Sequence, residues 1–148
     1  MEVRKATIND IGAIVDFQLK MASETEGVEL NKPTVIKGVT TVVTDNTKGQ
    51  YYVTEINNRI VASLLTTYEW SDWRNGTILW IQSVYVLPEY RRKGVYRNMY
   101  SHIKQLVTEN NELNGIRLYA DKSNHAAHKT YQQLGMSPDH YVTFEWLK

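Results

Sequence analysis

Residues 85–100 read YVLPEYRRKGVYRNMY. The stretch opens as an apolar strand, breaks at Pro88, turns basic, and meets one glycine, Gly94. From Val95 onward, Val95, Met99, Ile103, Leu106 and Val107 recur at helical spacing. Strand, short loop and helix start form a physical recipe for holding an anion. The first amides of a helix lack internal acceptors, and the macrodipole adds partial positive charge. Gly94 permits an unusual backbone angle or close approach. Arg91, Arg92, Lys93 and Arg97 add charge nearby. On local sequence alone, a solvated basic helix start explains the run equally well. Neither the P-loop pattern nor the dinucleotide glycine fingerprint is present.

Working outward, the next strand is IRLYAD, residues 116–121, after NELNG ends the helix. A helical crossover makes that strand parallel to the one ending at Pro88. Upstream, QYYVTEI, RIVASLLTTYEW and GTILWIQSVYVL read as three strands joined at Asn57–Asn58 and Asn75–Gly76. Asn-Gly readily takes positive φ, so an antiparallel meander is expected. EVRKA is a short opening strand. Thr7 and Asp10 have capping-box spacing before a first helix to about Ser23, with Ile8, Ile11, Val15, Leu19 and Ala22 on one face. SETEGVELNKP is a polar, acidic break. TVIKGVTTVVTD fits a strand by composition and a helix by the stripe of Val35, Val39, Val42 and Val43; the helix is preferred. Asn124 can cap a short helix through Leu134, with Gly135 as its terminal glycine. YVTFEWL alternates as a terminal strand. The expected fold class is α/β, one domain over residues 1–148 with a mixed sheet flanked by helices.

Composition narrows the function classes. The 148 residues carry a net charge of +1, against a counterion-driven nucleic-acid binder. Glu89, Glu109 and Glu112 also interrupt any continuous basic face. With no cysteine, disulfides, thiolate zinc sites and a cysteinyl intermediate are excluded. No apolar run approaches the roughly 20 residues that span a bilayer. The N-terminus lacks a signal-peptide core, so a cytoplasmic protein is the expectation. His125 and His128 stand three apart without a further ligand cluster and read as helix-surface residues; no metal is expected.

Arg91-Arg92-Lys93-Gly94-Val95-Tyr96 resembles the acetyl-CoA loop of the GNAT family of N-acetyltransferases, (Gln/Arg)-x-x-Gly-x-(Gly/Ala). SNHAAHKTYQQLGM is similar to that family's Asn-x-x-Ala-x-x-x-Tyr-x-x-x-Gly helix, with Asn124, Ala127, Tyr131, Gly135 and Met136 in register. The element order fits the family over the whole chain. The resemblance implies a sheet whose fourth and fifth strands splay apart. It implies that Arg91 to Tyr96, with Arg97 nearby, hold the pyrophosphate of acetyl-CoA. It implies that Val84, Tyr85 and Val86 pair with the pantetheine arm, that Asn124 hydrogen-bonds it, and that Ala127 lies in the same cofactor helix. It implies that Tyr131 stands near the sulfur as the acid for the departing thiolate; alone, Tyr131 reads equally as a core tyrosine.

Two residues depart from the pattern. Tyr96 replaces the second small residue of the loop. Gln82 stands where many relatives carry a Glu, and an amide is no general base. Glu26, Glu29, Glu69 and Asp72 are the remaining acids on the acceptor side, each also readable as a surface acid. Trp70, Trp73 and Trp80 either staple their own hairpin or pack an acceptor or a second subunit, which would make a homodimer. The implied function is direct acetyl transfer to a primary amine of a small molecule or peptide. A non-enzymatic acyl-CoA-binding domain of the same fold is the alternative.

Overall fold

The computed structural model describes residues 1–148. It divides into two units, Met1–Arg117 and Leu118–Lys148. In the first, strand β1 (Glu2–Lys5) leads through a 3-10 turn into helices α1 (Ile11–Glu26) and α2 (Lys32–Thr44). Strands β2 (Gln50–Ile56), β3 (Arg59–Ser71) and β4 (Gly76–Val86) follow, then helix α3 (Val95–Glu109) and strand β5 (Leu113–Arg117). The sheet order is β1-β2-β3-β4-β5, antiparallel except for the parallel β4–β5 pair that the crossover requires.

Local chemistry sets the turns. Asn57, Asn58 and Asn75 all take positive φ, as tight hairpins need. The Thr7–Asp10 capping box is present, and Asp10 is pinned by Arg4, 2.8 Å from its carboxylate. Ile8 lies in the 3-10 turn and is exposed, so it does not extend the α1 stripe. Helix α1 runs to Glu26, three residues beyond expectation, and stops at Gly27 in the left-handed region. The ambiguous valine-rich segment is helical. Asn31 accepts the Thr34 amide at its start, which secures the helix against its β-branched composition.

Helices and sheet share a core. Ile14 and Val15 of α1 and Val39 of α2 bury with Tyr51 and Val53 of β2, and Leu65 packs against them. On the opposite sheet face, Tyr52 meets His102 of α3 edge-on.

The fifth strand begins at Leu113 and ends at Arg117, earlier than the segment 116–121 expected from apolar content. Asn114 and Gly115 read as a helix stop, yet they lie within β5: Thr77 of β4 pairs with Leu113 and Ile78 with Gly115, and Asn114 is the residue left over at the register shift between them. The second unit holds helix α4 (His125–Gln133), capped by Asn124 and followed by Gly135 at φ +86°. The expected terminal strand is absent: residues 141–148 adopt no regular structure. Alternation shows only which side chains could share a face. A strand also needs a partner ladder, and the sheet holds five strands with no sixth. Phe144 and Trp146 are 92% and 87% exposed.

Candidate active site

The parallel ladder between β4 and β5 covers only Thr77 to Trp80, against Leu113 to Arg117. Beyond Trp80, β4 continues for six residues with β3 as its only partner in the sheet. Leu87 donates its amide to Val61 of β3. By strand alternation, Val84 and Val86 direct their backbone groups the other way, where the β5 ladder has ended. The Val86 carbonyl already accepts from Arg91 Nε at 2.8 Å.

A bulge sits in this half of β4. Ser63 stands opposite Tyr85 and Leu65 opposite Gln82, so β4 carries one residue more than β3. Ser83 takes the strain at φ +53°. The insertion puts Gln82 and Tyr85 on one face, the face that α1 covers: Phe17 packs against Tyr85 at 5.2 Å between ring centroids.

After β4, a 3-10 turn at Pro88–Tyr90 leads into the basic loop. Arg92 and Gly94 both have positive φ, +59° and +79°. Such alternation turns successive amides into a concave nest. The first bond of α3 runs from the Asn98 amide to the Gly94 carbonyl at 3.0 Å. The amides of Val95, Tyr96 and Arg97 precede it and have no acceptor inside the helix. A Cβ built on Gly94 meets no heavy atom within 4 Å, so the space above it is open. Val95 is buried and anchors the helix start, while the Tyr96 ring lies beside that of Tyr100 at 6.4 Å, one turn along α3.

The four cations differ in what they meet. Arg91 is committed to Glu24 at 2.7 Å and to Val86. Lys93 lies over the Tyr90 ring at 5.7 Å. Arg92 and Arg97 are exposed and make no ion pair.

Glu24 is the residue that sequence reading passed over as part of an acidic segment. Besides Arg91, it accepts the Tyr85 hydroxyl at 2.7 Å. The Arg91 guanidinium, then the Tyr85 hydroxyl, hold its carboxyl below the usual carboxylate range. Burial and the Glu24 carboxylate push the Tyr85 phenol up to about 12. Glu24 is 61 and 67 residues from these partners, and no local pattern announces them.

Further along the same face, Gln82 Nε2 donates to Thr67 Oγ1 at 2.5 Å. Glu69 accepts the Trp80 indole at 3.1 Å through Oε1 and pairs with Arg117 through Oε2. Trp70 stands opposite Thr77 and Trp80 opposite Thr67, so the hairpin is not stapled by facing tryptophans. Trp73 is on the turn and 89% exposed. A cavity of about 560 Å³ opens at the C-terminal end of α1, lined by Leu19, Ser23, Val28, Glu29, Leu30 and Lys32.

In the second unit, Asn124 caps α4 by accepting the Ala127 amide at 3.1 Å, and Tyr131 lies on that helix. His128 Nε2 is 2.8 Å from the Asp121 carbonyl. No three His, Asp or Glu side chains are grouped closely enough to hold a metal ion, and no helix is long and apolar enough to cross a membrane.

A parallel strand pair whose ladder stops short of a basic helix start is the α/β arrangement that the resemblance to the acetyltransferases implied. The sequence profile described as the Acetyltransferase (GNAT) family matches residues 19–136, and the chain belongs to that family. A possible acetyltransferase from Clostridium difficile 630 is similar at 42% identity and a TM-score of 0.93, covering 99% of this chain and 97% of that one. A probable acetyltransferase is similar at 19% identity, a TM-score of 0.86 and coverages of 100% and 97%. A predicted acetyltransferase with acetyl-CoA from Clostridium acetobutylicum shares the fold at 22% identity, with a TM-score of 0.75 and coverages of 97% and 95%. No curated protein matches the sequence significantly.

Proposed function

We propose that residues 1–148 act as one catalytic domain that transfers the acetyl group of acetyl-CoA to a primary amine of a small molecule or peptide. The observation that carries this is the end of the β4–β5 ladder at Trp80, beyond which β4 runs on toward the open amides of α3. In this reading the pyrophosphate takes the amides from Arg92 to Arg97 and the charge of Arg92, Lys93 and Arg97. Arg91 shapes the loop through Glu24 rather than meeting phosphate alone. The backbone of Val84, Tyr85 and Val86 meets the pantetheine arm as an added strand would. Asn124 and Ala127 complete the cofactor seat.

The amine nitrogen attacks the thioester carbonyl carbon. The C–N bond forms, the C–S bond breaks, and sulfur leaves with its electron pair. Tyr131 supplies the proton to sulfur; a phenol near pKa 10 and a thiol near 8.5 are matched well enough for that transfer. A backbone amide of β4 polarises the carbonyl oxygen. The apolar walls of the α1 cavity, Leu19, Val28 and Leu30, and exposed Trp70 and Trp73 offer surface to an acceptor or a second copy of the chain.

Acetyl-CoA at about 100 times its Kd should stabilise the fold by about 2.7 kcal/mol, read as a rise in melting temperature. CoA release across a panel of amines then reads turnover. A non-enzymatic acyl-CoA-binding domain is the second reading, favoured by Gln82 alone. It predicts the thermal shift with no CoA release.

A further inference from the structure

We infer that this transferase selects weakly basic amines, an α-amino group or an aromatic amine over a lysine-type ε-amine, because the two carboxylates in contact with β4 side chains, Glu24 and Glu69, are committed to other partners. The inference rests on the acyl-transfer reading above.

Deprotonating an ammonium needs an available base, and the residue best placed on β4 is Gln82. Its neutral amide takes no proton at working pH. Its Nε2 is spent on Thr67 at 2.5 Å, which turns Oε1 outward as an acceptor. That oxygen can hold one N–H of an incoming neutral amine and leave its lone pair for the thioester.

The two acids that bond to β4 side chains, Glu24 and Glu69, are both tied down. From β3, both Glu69 oxygens are in use, one by the Trp80 indole and one by Arg117 of β5. From α1, both Glu24 oxygens are in use, one by the Tyr85 hydroxyl and one by Arg91 of the basic loop. Protonating either would displace a charge-assisted hydrogen bond from an arginine. Asp16 on α1 pairs with Lys20 at 2.6 Å. The Tyr85 phenol, pushed up to about 12, stays protonated as a donor. Glu26 ends α1, Glu29 lies on the turn and Lys32 begins α2, all exposed to solvent. Water is then the proton sink, and the enzyme must take its acceptor already neutral.

Solution chemistry sets the selection. At pH 7.5 about 24% of an α-amine of pKa near 8 is neutral, against roughly 0.1% of an ε-amine of pKa near 10.4. The ratio is on the order of 200-fold. The greater intrinsic nucleophilicity of the more basic amine recovers part of it, so the pH profile discriminates better than a single rate. The balance closes without a protein base: the neutral nitrogen forms the C–N bond, its extra proton goes to water, and the thiolate takes a proton as the C–S bond breaks.

The test is CoA release from acetyl-CoA between pH 6 and 10.5, with an aromatic amine, a peptide with a free α-amine, and the same peptide α-blocked with a free lysine (a range that brackets the pKa values near 8 and 10.4). We expect kcat/KM for the α-amine and the ε-amine to rise with pH to an inflection at each acceptor's own pKa, and the profile of the aromatic amine, neutral over the whole range, to be flat. The α-amine should lead the ε-amine by tens of fold at pH 7.5, and the gap should close by about pH 10.5. Gln82→Glu should add an inflection common to all acceptors and raise the ε-amine rate at pH 7.5 by tenfold or more. A common inflection already present in the wild type, and removed by Glu26→Gln, Glu29→Gln or Glu69→Gln, overturns the inference. Equal α- and ε-amine rates at pH 7.5 also overturn it. Either result leaves acyl transfer standing. CoA release with no amine at all overturns both readings.

Discussion

Gly94→Ala separates what the basic loop does for folding from what it does for binding. Gly94 sits at φ +79°, and a Cβ there meets nothing within 4 Å. The folding cost is therefore backbone strain without a clash, about 1–2 kcal/mol. For a chain of 148 residues that lowers the melting temperature by roughly 3–8 °C. The binding cost is separate. In the proposed reading the phosphates approach through the open space above Gly94, and the methyl group would hold them off at least one amide. Losing one charge-assisted hydrogen bond costs about 1.5–3 kcal/mol, a 10- to 150-fold rise in Kd for acetyl-CoA. Calorimetric titration well below the variant's melting temperature reads it. Gly38→Ala is the control, since its Cβ also meets nothing but lies inside α2. It should stabilise by about 1 kcal/mol and leave Kd alone. A Gly94→Ala protein with the expected melting loss and wild-type affinity would refute the cradle.

Other outcomes follow from the same coordinates. Tyr131→Phe should lower kcat by about 100-fold or more while acetyl-CoA affinity stays within twofold; an equal loss of affinity would remove its role as the acid. Gly49→Ala should cost about 2–4 kcal/mol in thermal unfolding, because at φ +150° its Cβ would lie 2.6 Å from the Thr66 carbonyl of the next strand. Asp10 is held below the usual carboxylate range, first by its hydrogen bonds from Arg4. Its folded pKa is depressed, so its stabilisation is present above about pH 4 and is lost as pH falls through the folded value. Asp10→Asn should unfold more readily at pH 7 and show a flatter acid limb in melting temperature than the wild type.

What could be read from sequence was whatever neighbours decide. Asn57, Asn58 and Asn75 announced their turns because the asparagine backbone itself tolerates positive φ. Asn124 announced a helix start and Gly135 its end for similar reasons. The valine-rich segment gave up its helix to periodicity despite contrary propensity. What stayed hidden depends on residues far away in the chain. Glu24 meets Tyr85 and Arg91 across more than 60 residues. The pairing of Leu113 to Arg117 depends on β4 being alongside, which Asn114 and Gly115 do not signal. The stretch from Tyr141 alternates well and forms no strand, since alternation says nothing about a ladder partner. Arg91 was read as a phosphate cation from its place in the loop. The structure adds an ion pair from Arg91 to Glu24, which no reading of RRKG alone could foresee.

The extra residue at Ser83 acts as a phase shifter along β4. Counting by twos from Gln82, Tyr85 belongs on the far side of the sheet; the added residue brings it back under α1. The strand thus carries two reading frames, one ending at Gln82 and one starting at Tyr85. Deleting Ser83 would straighten the strand into a regular ladder, with Val84 opposite Leu64 and Tyr85 still opposite Ser63 under α1, and would remove only the local kink and added twist. What the extra residue supplies is slack: Ser83 and Val84 together stand opposite Leu64, and neither is registered in the β3 ladder between Gln82 and Tyr85.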